Sequence, residues 1–282
     1  MENTQKLASL SAEKERVRTE LNMAAQIQAS ALPHVFPAFP DRTDFSIYAS
    51  MTPAKKVGGD FYDFFLIDDT HLGIVMADVS DKGVPAALFM MTSRTLVQIY
   101  AKMKMGPAET LSATNNWLRA NNKSAMFFTA WLGILDLSTG LITAVNAGHE
   151  YPVIRFGRRP FQLFRDKHGL FVGVSEKARY TAYELQMAPG DRLFLYTDVV
   201  PEAQTSDRNM FGLDRMVSAL NEDPDAPLEQ LLSNVRGAVD GFIQGASQFD
   251  DLTMLCLEYR GNPAKQESCT PGEKPEAAQT AP

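Results

Sequence analysis

Residues 72–88 read LGIVMADVSDKGVPAAL and give the clearest indication of the fold. The first six residues of this stretch are apolar, as in a buried β-strand, and this pattern ends at Asp78. A short polar turn follows, and Pro85 stands where a proline favours the first turn of a helix. The segment therefore predicts a strand that meets a helix at a sharp corner, with a carboxylate held at that corner.

Three further segments place aspartates at the ends of strand-like runs. Asp60 follows a glycine pair, Asp198 ends one apolar run, and Asp250 and Asp251 precede another. If these carboxylates converge, they form an all-oxygen site for hard divalent cations. No cluster of His or Cys accompanies them, which favours Mn²⁺ or Mg²⁺ over zinc. Each aspartate is also typical of an ordinary turn, and spacing alone does not show that they meet.

The composition is that of an ordinary globular protein. The chain has 282 residues, of which 45% are hydrophobic and 22% charged, and a net charge of −7 without a basic stripe argues against nucleic acid as a partner. Cys256 and Cys269 suggest no disulfide framework, so we expect a reducing, cytoplasmic location. No apolar stretch reaches the roughly 18 residues that a membrane span needs, although a sensor upstream of this chain is compatible with the sequence.

The N-terminal segment, residues 1–33, is predicted to be one linker helix over residues 4–31 that Pro33 ends. A stripe with alternating three-and-four spacing runs along it: Leu7, Leu10, Lys14, Val17, Leu21, Ala24 and Gln28. So narrow a stripe favours a coiled coil, and hence a homodimer formed through this helix. The polar residues Lys14 and Gln28 keep open the alternative that the helix folds back on its own domain.

Residues 38–260 alternate runs of strand-like segments with helical blocks, without a βαβ pattern. Helical blocks are predicted from Pro85 to about Asn121, broken at Gly106-Pro107, and from Gly212 to Phe242. This order predicts an α+β domain with mainly antiparallel sheets. Residues 261–282 are rich in Pro, Glu, Ala and Gln, and they are predicted to be a disordered tail.

Five sequence blocks, taken in order, resemble the signatures of the SpoIIE/RsbU branch of bacterial metal-dependent (PPM-type) serine/threonine protein phosphatases. They span about Phe45 to Tyr259, and the ordered set is far more specific than any single block. The blocks are VGGDFYD at 57–63, ADVSDKGVPAAL at 77–88, NAGH at 146–149, PGDRL at 189–193 and DDLT at 250–253.

This resemblance implies a sandwich of two antiparallel sheets flanked by helices, with two Mn²⁺ or Mg²⁺ ions at one end. It implies that the catalytic and metal-binding residues are Asp60, Asp78, the backbone carbonyl of Val79, Asp198, Asp250 and, second in rank, Asp251. It also implies single-step hydrolysis by metal-activated water, without a phosphoenzyme. The implied substrate is a phosphoprotein, typically a STAS-type anti-sigma-factor antagonist.

One position departs from the family pattern, which usually has glycine after the third of these aspartates. This chain has Val199, and a β-branched residue strongly resists positive φ. Either the loop at Asp198 is altered, or the glycine never needed its freedom and Val199 simply packs. The first alternative would suit a pseudophosphatase, a regulatory binding module that hydrolyses nothing. A third class, a nucleotidyl cyclase or phosphodiesterase, also uses Mg²⁺-binding carboxylates but lacks support in the strand order.

Overall fold

The structure is a computed structural model that describes residues 2–245 and 250–261. Within these residues ten β-strands form two five-stranded sheets, and every pair of neighbouring strands is antiparallel. The strands are β1 (Phe45–Thr52), β2 (Phe61–Asp68), β3 (His71–Val79), β4 (Phe128–Asp136), β5 (Leu141–Ala147), β6 (Val153–Arg155), β7 (Gln162–Leu163), β8 (Tyr183–Gln186), β9 (Arg192–Tyr196) and β10 (Leu252–Tyr259).

The two sheets differ in how the chain passes through them. The first sheet has the order β1-β10-β9-β6-β7, and the second has the order β2-β3-β4-β5-β8.

Side chains of β10 alternate between two hydrophobic cores. Leu255 and Leu257 pack in a core shared with the second sheet, whereas Met254 and Cys256 pack in a separate core on the other face. Because both faces of β10 are buried, its sequence is an almost continuous apolar run.

Helices cover the outer faces of the sandwich. They are α1 (Glu2–Ala31), α2 (Val84–Lys102), α3 (Pro107–Asn121), α4 (Val199–Glu202), α5 (Leu213–Glu222) and α6 (Leu228–Ile243). Helix α2 contacts β2 and β3 of the second sheet, and α6 contacts β1 and β10 of the first. The break between α2 and α3 falls at Gly106, whose N–H donates to Glu109 Oε2 at 3.2 Å in a capping box. Two antiparallel sheets flanked by helices confirm the predicted fold class.

The N-terminal helix combines the two alternatives that the sequence left open. Leu7, Leu10 and Val17 are exposed along its length, as an unpartnered seam would be. At its C-terminal end, however, Gln28 is buried, as is Leu32 just beyond the helix. The helix therefore docks on the domain only through its last turns.

Some predictions need a different description. Helix α4 was not predicted, because four residues are too few to show a helical period. The predicted tail from residue 262 onward lies outside the described residues. Across the parts of the chain that the structure describes, every helix is too short or too polar to span a lipid bilayer.

Candidate metal centre

The register of the second sheet brings the first two aspartates together. Phe61 pairs with Ala77 in the antiparallel ladder of β2 and β3, so Asp60 and Asp78 lie opposite each other where this pair of strands ends. Their carboxyl groups lie close enough for a hydrogen bond between them. Such a bond forms when one of the two carboxyl groups carries a proton, because a carboxylate can only accept.

The register of the first sheet gathers the other aspartates in the same way. Tyr196 pairs with Met254 across β9 and β10, so Asp198, just after β9, and the pair Asp250 and Asp251, just before β10, lie at one end of the sheet. The N–H of Thr197 donates to the carbonyl of Thr253 at 3.1 Å and extends the ladder by one residue.

Two threonines join the two sheet ends. Thr197 Oγ1 and Thr253 Oγ1 donate hydrogen bonds to Asp60 Oδ2 at 2.8 Å and 2.6 Å. Both threonines belong to the first sheet, whereas Asp60 precedes the second. The structure therefore brings together Asp60, Asp78, Asp198, Asp250 and Asp251, and we refer to these five residues as the acidic rim. Neither threonine was predicted to serve the site, although each stands within two residues of a predicted aspartate.

The charges of the acidic rim perturb one another. Burial, and then the negative charges of Asp198, Asp250 and Asp251, raise the pKa of Asp78 to about 7, while its hydrogen bond with Asp60 opposes the shift. Burial, followed by the charge of Asp78, raises the pKa of Asp60 well above its usual value. Mutual repulsion of this kind is the electrostatic condition that a bound cation relieves.

Two further acidic residues lie beside Asp198. Its pKa is raised by burial first, then by the charges of Glu202 and Asp250. Glu150 is also affected: burial, and then the charges of Asp198 and Glu202, raise its pKa. Negative charge therefore continues from the acidic rim toward α4.

A lysine partly balances this charge. Lys82 follows the corner after β3, and its Nζ lies 2.6 Å from Asp250 Oδ2. Within residues 2–245 and 250–261, no three His, Cys, Asp or Glu side chains already surround one point at metal-ligand spacing. The acidic rim nevertheless fits hard divalent cations, because its donors are all oxygens and its excess negative charge is buried.

The glycine pair before Asp60 allows the backbone to approach the rim closely. A Cβ on Gly58 would lie 1.7 Å from Asp251 Oδ2, and a Cβ on Gly59 would lie 3.0 Å from the carbonyl oxygen of Val79. Asp251 cannot easily retreat, because its Oδ1 accepts a 2.9 Å hydrogen bond from the N–H of Ala54. Val79, the last residue of β3, thus has its carbonyl beside Gly59.

Val199 occupies a regular conformation. It is the first residue of α4, its side chain is 2% exposed in the second core, and its φ is outside the left-handed region. The geometry at this position makes no demand for glycine. The alternative in which Val199 packs without distorting the loop is the one that the structure shows.

His149, which ends the NAGH block, is fully buried. Its Nδ1 lies 2.8 Å from Thr129 Oγ1, and its backbone N–H donates to Asn146 Oδ1 at 2.7 Å. Burial lowers the pKa of His149 to about 3, so the ring is neutral at physiological pH. These contacts describe a residue that fixes the end of β5, not one that carries a proton to a leaving group.

Open space near the rim is shallow. The groove beside Gly58, Lys82 and Asp250 holds only about 10 Å³. A larger cavity of about 420 Å³ lies around His71, at the opposite end of β3 from Asp78. The acidic rim therefore lies beside a shallow groove, and the larger cavity lies at the other end of β3.

A solved structure shares this architecture. The PP2C domain of SiaA from Pseudomonas aeruginosa superposes with a TM-score of 0.77 at 23% identity, covering 88% of this chain and 99% of that one. The shared fold defines the architectural class of the protein, which is that of a PP2C-type domain. The family model described as Stage II sporulation protein E (SpoIIE) matches residues 68–260, well over half of the chain. The chain therefore belongs to the SpoIIE family, and the resemblance of its sequence blocks is confirmed.

Two relatives are similar in sequence to most of this chain. Protein IcfG of Synechocystis sp. is 33% identical over 271 residues, which cover 86% of this chain and 42% of IcfG. The phosphoserine phosphatase RsbU of Bacillus subtilis is 24% identical over 247 residues, which cover 87% of this chain and 72% of RsbU. The chain thus spans less than half the length of IcfG.

Proposed function

We propose that this chain is a Mn²⁺- or Mg²⁺-dependent protein serine/threonine phosphatase that takes two ions. The proposed metal ligands are the carboxylates of Asp60, Asp78, Asp198, Asp250 and Asp251 and the backbone carbonyl of Val79. The observation that carries the proposal is the convergence of carboxylates from both sheets, which share buried negative charge at one rim.

The chain's own residues have distinct tasks in this proposal. Bound divalent cations would act as Lewis acids that lower the pKa of water and neutralise phosphoryl oxygens. Thr197 and Thr253 hold the Asp60 carboxylate in one orientation through their hydroxyl groups. Lys82 is a cationic group that balances the charge of Asp250. No cysteine or serine nucleophile is needed, and the described thiol, Cys256, is buried in the core.

The shape of the rim supports a protein substrate. A groove of about 10 Å³ cannot enclose a nucleotide, whereas a phosphoserine on a protein surface needs only an open approach to the cations. The name of RsbU as a phosphoserine phosphatase supports the same substrate class. We propose a phosphorylated STAS-type anti-sigma-factor antagonist, dephosphorylated in the cytoplasm as part of partner switching.

The exposed seam of α1 supports a homodimer. Leu7, Leu10 and Val17 are exposed on this helix, and a second copy could cover them in a coiled coil. Deletion of residues 1–27, which keeps Gln28 and the docked end, should lower the mass measured by light scattering from dimer to monomer. Equal mass before and after deletion would contradict the dimer but not the phosphatase.

A Mn²⁺ titration tests the phosphatase proposal. The protein should release phosphate from a phosphoserine protein in a Mn²⁺-dependent way and should leave cyclic and linear nucleotides unchanged. Asp78→Asn and Asp198→Asn should each abolish this release. Metal binding without turnover would instead indicate a pseudophosphatase, although Val199, which raised that alternative, is well accommodated in α4. Retained turnover in both variants would overturn the assignment of the acidic rim.

A further inference from the structure

The cavity of about 420 Å³ lies at the end of the second sheet that is opposite to the acidic rim. Helices α2 and α3 cover the outer face of this sheet, α2 over β2 and β3 and α3 over β4 and β5. Between the two helices the chain turns at residues 103–106, and the cavity lies between this turn and the sheet. Sites that bind small molecules have volumes of about 300–1,000 Å³, so this cavity is large enough for a small ligand.

The sheet side of the cavity has apolar side chains that the protein does not fully cover. Ile134 pairs in register with Thr143, and both line the cavity, as does Leu141 on the same strand as Thr143. Successive side chains of a strand point to opposite faces, so the intervening Leu135 and Ile142 are fully buried in the core. Ile134 and Leu141, by contrast, are only half-buried. Their remaining exposed surface is one that an apolar ligand can cover.

Three ionisable side chains form a row across the same end of the sheet. His71, the first residue of β3, pairs in register with Asp68 of β2 on one side and with Asp136 of β4 on the other, and all three line the cavity. The His71 Nδ1 lies 2.8 Å from Asp68 Oδ1. The backbone N–H and the hydroxyl group of Ser138 donate to Asp136 Oδ1 at 2.8 Å and 2.6 Å. These contacts hold both carboxylates in place.

The row carries an excess of negative charge. Hydrogen bonds, that of His71 first, hold the pKa of Asp68 well below its usual range. Burial opposes such a shift at Asp136, but hydrogen bonds from Ser138 and Thr139 outweigh it and lower the pKa of Asp136. Both carboxylates are therefore ionised at neutral pH. With His71 neutral, these two carboxylates and the ammonium group of a nearby lysine leave one negative charge in excess.

That lysine, Lys104, is only loosely held. Its Nζ lies 3.6 Å from Asp68 Oδ2, beyond hydrogen-bond distance, and its side chain is 74% exposed. Its backbone has a φ of 63°, in the left-handed region that a lysine rarely adopts. Strained backbone of this kind is concentrated at binding sites. The next residue, Met105, lines the cavity with a flexible side chain that can adapt to an apolar ligand.

We propose that this cavity binds a small organic cation, an ammonium group on an apolar body. The ammonium group donates to the carboxylate oxygens of Asp136 and Asp68, and the apolar body covers Ile134, Leu141 and Met105. The apolar wall favours such a ligand over a metal ion, and the paired carboxylates favour it over an anion. The cavity and the acidic rim lie at opposite ends of β3, so the inference does not depend on the proposed function.

Two probes with similar apolar chains and opposite charge test the class of ligand. Hexylammonium and hexanoate are titrated into the full chain by calorimetry at about pH 8 and low ionic strength. Hexylammonium should bind with a dissociation constant of roughly 1 mM or below, as expected for so small a ligand, and hexanoate should bind at least about tenfold more weakly. Equal affinity for the two probes, or no binding of hexylammonium, would overturn the inference.

Methyl NMR spectra locate the bound hexylammonium. The signals of Ile134 and Met105, which line the cavity, should shift during the titration. Val79 reports on the acidic rim, because its carbonyl lies beside Gly59. Unchanged signals of Ile134 and Met105, with shifts at Val79 alone, would place the cation at the acidic rim and sink the proposed site.

Two substitutions test the contributions of charge and space. Asp136→Asn removes one charge but keeps an oxygen that can accept from Ser138, and hexylammonium binding should weaken roughly tenfold. Asp240→Asn is the matched control, because it removes the same charge from an exposed position of α6 and should leave binding unchanged. Thr143→Phe places a larger side chain in the cavity and should abolish binding.

Circular dichroism melts show whether each variant is folded. Binding of hexylammonium that is equal in the wild type and in a folded Asp136→Asn or Thr143→Phe protein would contradict the proposed site. Should either variant fail to fold, the comparison of the two probes and the NMR spectra of the wild-type protein still decide the question.

Discussion

Gly58→Ala tests the contact between the glycine pair and the acidic rim most directly. The new methyl group would lie 1.7 Å from Asp251 Oδ2 and 2.5 Å from its Cγ, distances at which atoms cannot remain. The Asp251 carboxylate would have to leave a position where it accepts hydrogen bonds from the backbone of Ala54, Gly59 and Asp60. A hydrogen bond to a charged group contributes about 1.5–3 kcal/mol, so losing two of these three bonds lowers the free energy of unfolding by about 3–6 kcal/mol.

Urea denaturation of the metal-free protein measures this effect. Such a loss is a large part of the roughly 5–15 kcal/mol that stabilises a typical domain, so the unfolding midpoint should fall clearly. Gly241→Ala is the control: it lies inside α6, a Cβ there meets no atom within 4 Å, and alanine should stabilise the helix by about 1 kcal/mol. The two substitutions should therefore shift the midpoint in opposite directions. A Gly58→Ala protein as stable as wild type would refute the close approach of Gly58 to Asp251.

Two further predictions concern the same region. Val199→Gly removes a buried side chain and adds glycine to a helix, so it should lower the free energy of unfolding by about 2–4 kcal/mol. The Mn²⁺ affinity, measured by calorimetry, should stay unchanged. A clear gain in Mn²⁺ affinity would mean that Val199 does distort the loop. The second concerns pH. Asp60 and Asp78 have a raised pKa in the folded, metal-free protein, Asp78 to about 7, against 3.8 as the ordinary value. At a pH between the ordinary and the raised pKa, the folded state binds more protons than the unfolded state, so the melting temperature in EDTA should fall as pH rises from about 5 to 7.5. Excess Mn²⁺ should restore the melting temperature. A melting temperature that rises over this pH range in EDTA would contradict the raised pKa of Asp60 and Asp78.

The sequence was sufficient to predict much of the secondary structure because the signals are local. Glycine and proline at 106 and 107 divide α2 from α3, and apolar runs mark the strands that are buried on both faces. The positions of the aspartates at strand ends were likewise visible. Their convergence was not, because it depends on registers between distant strands, such as Phe45 opposite Tyr259. Only the family resemblance supplied that expectation.

Gln28 shows a different limit. In the sequence it is a weak position in a heptad stripe, and polar residues at such positions are common in coiled coils. Its true partner is the backbone of Gly58, 30 positions away, and a backbone partner leaves no trace in side-chain patterning. Val199 is the opposite case. Its identity departs from the family pattern, yet α4 has a regular conformation at this position.

The place of β10 in the first sheet has a consequence for how the protein is made. This strand pairs with β1 on one side and β9 on the other, yet among the described strands it is the last to be synthesised. The second sheet, by contrast, pairs β2 to β5 in the order of synthesis, so its contacts can form early during translation. We expect a nascent chain to contain a folded second sheet and an unpaired β1 until β10 has been synthesised. Asp250 and Asp251 immediately precede β10, so a ribosome-bound chain that lacks residues 250–259 should lack two of the proposed metal ligands.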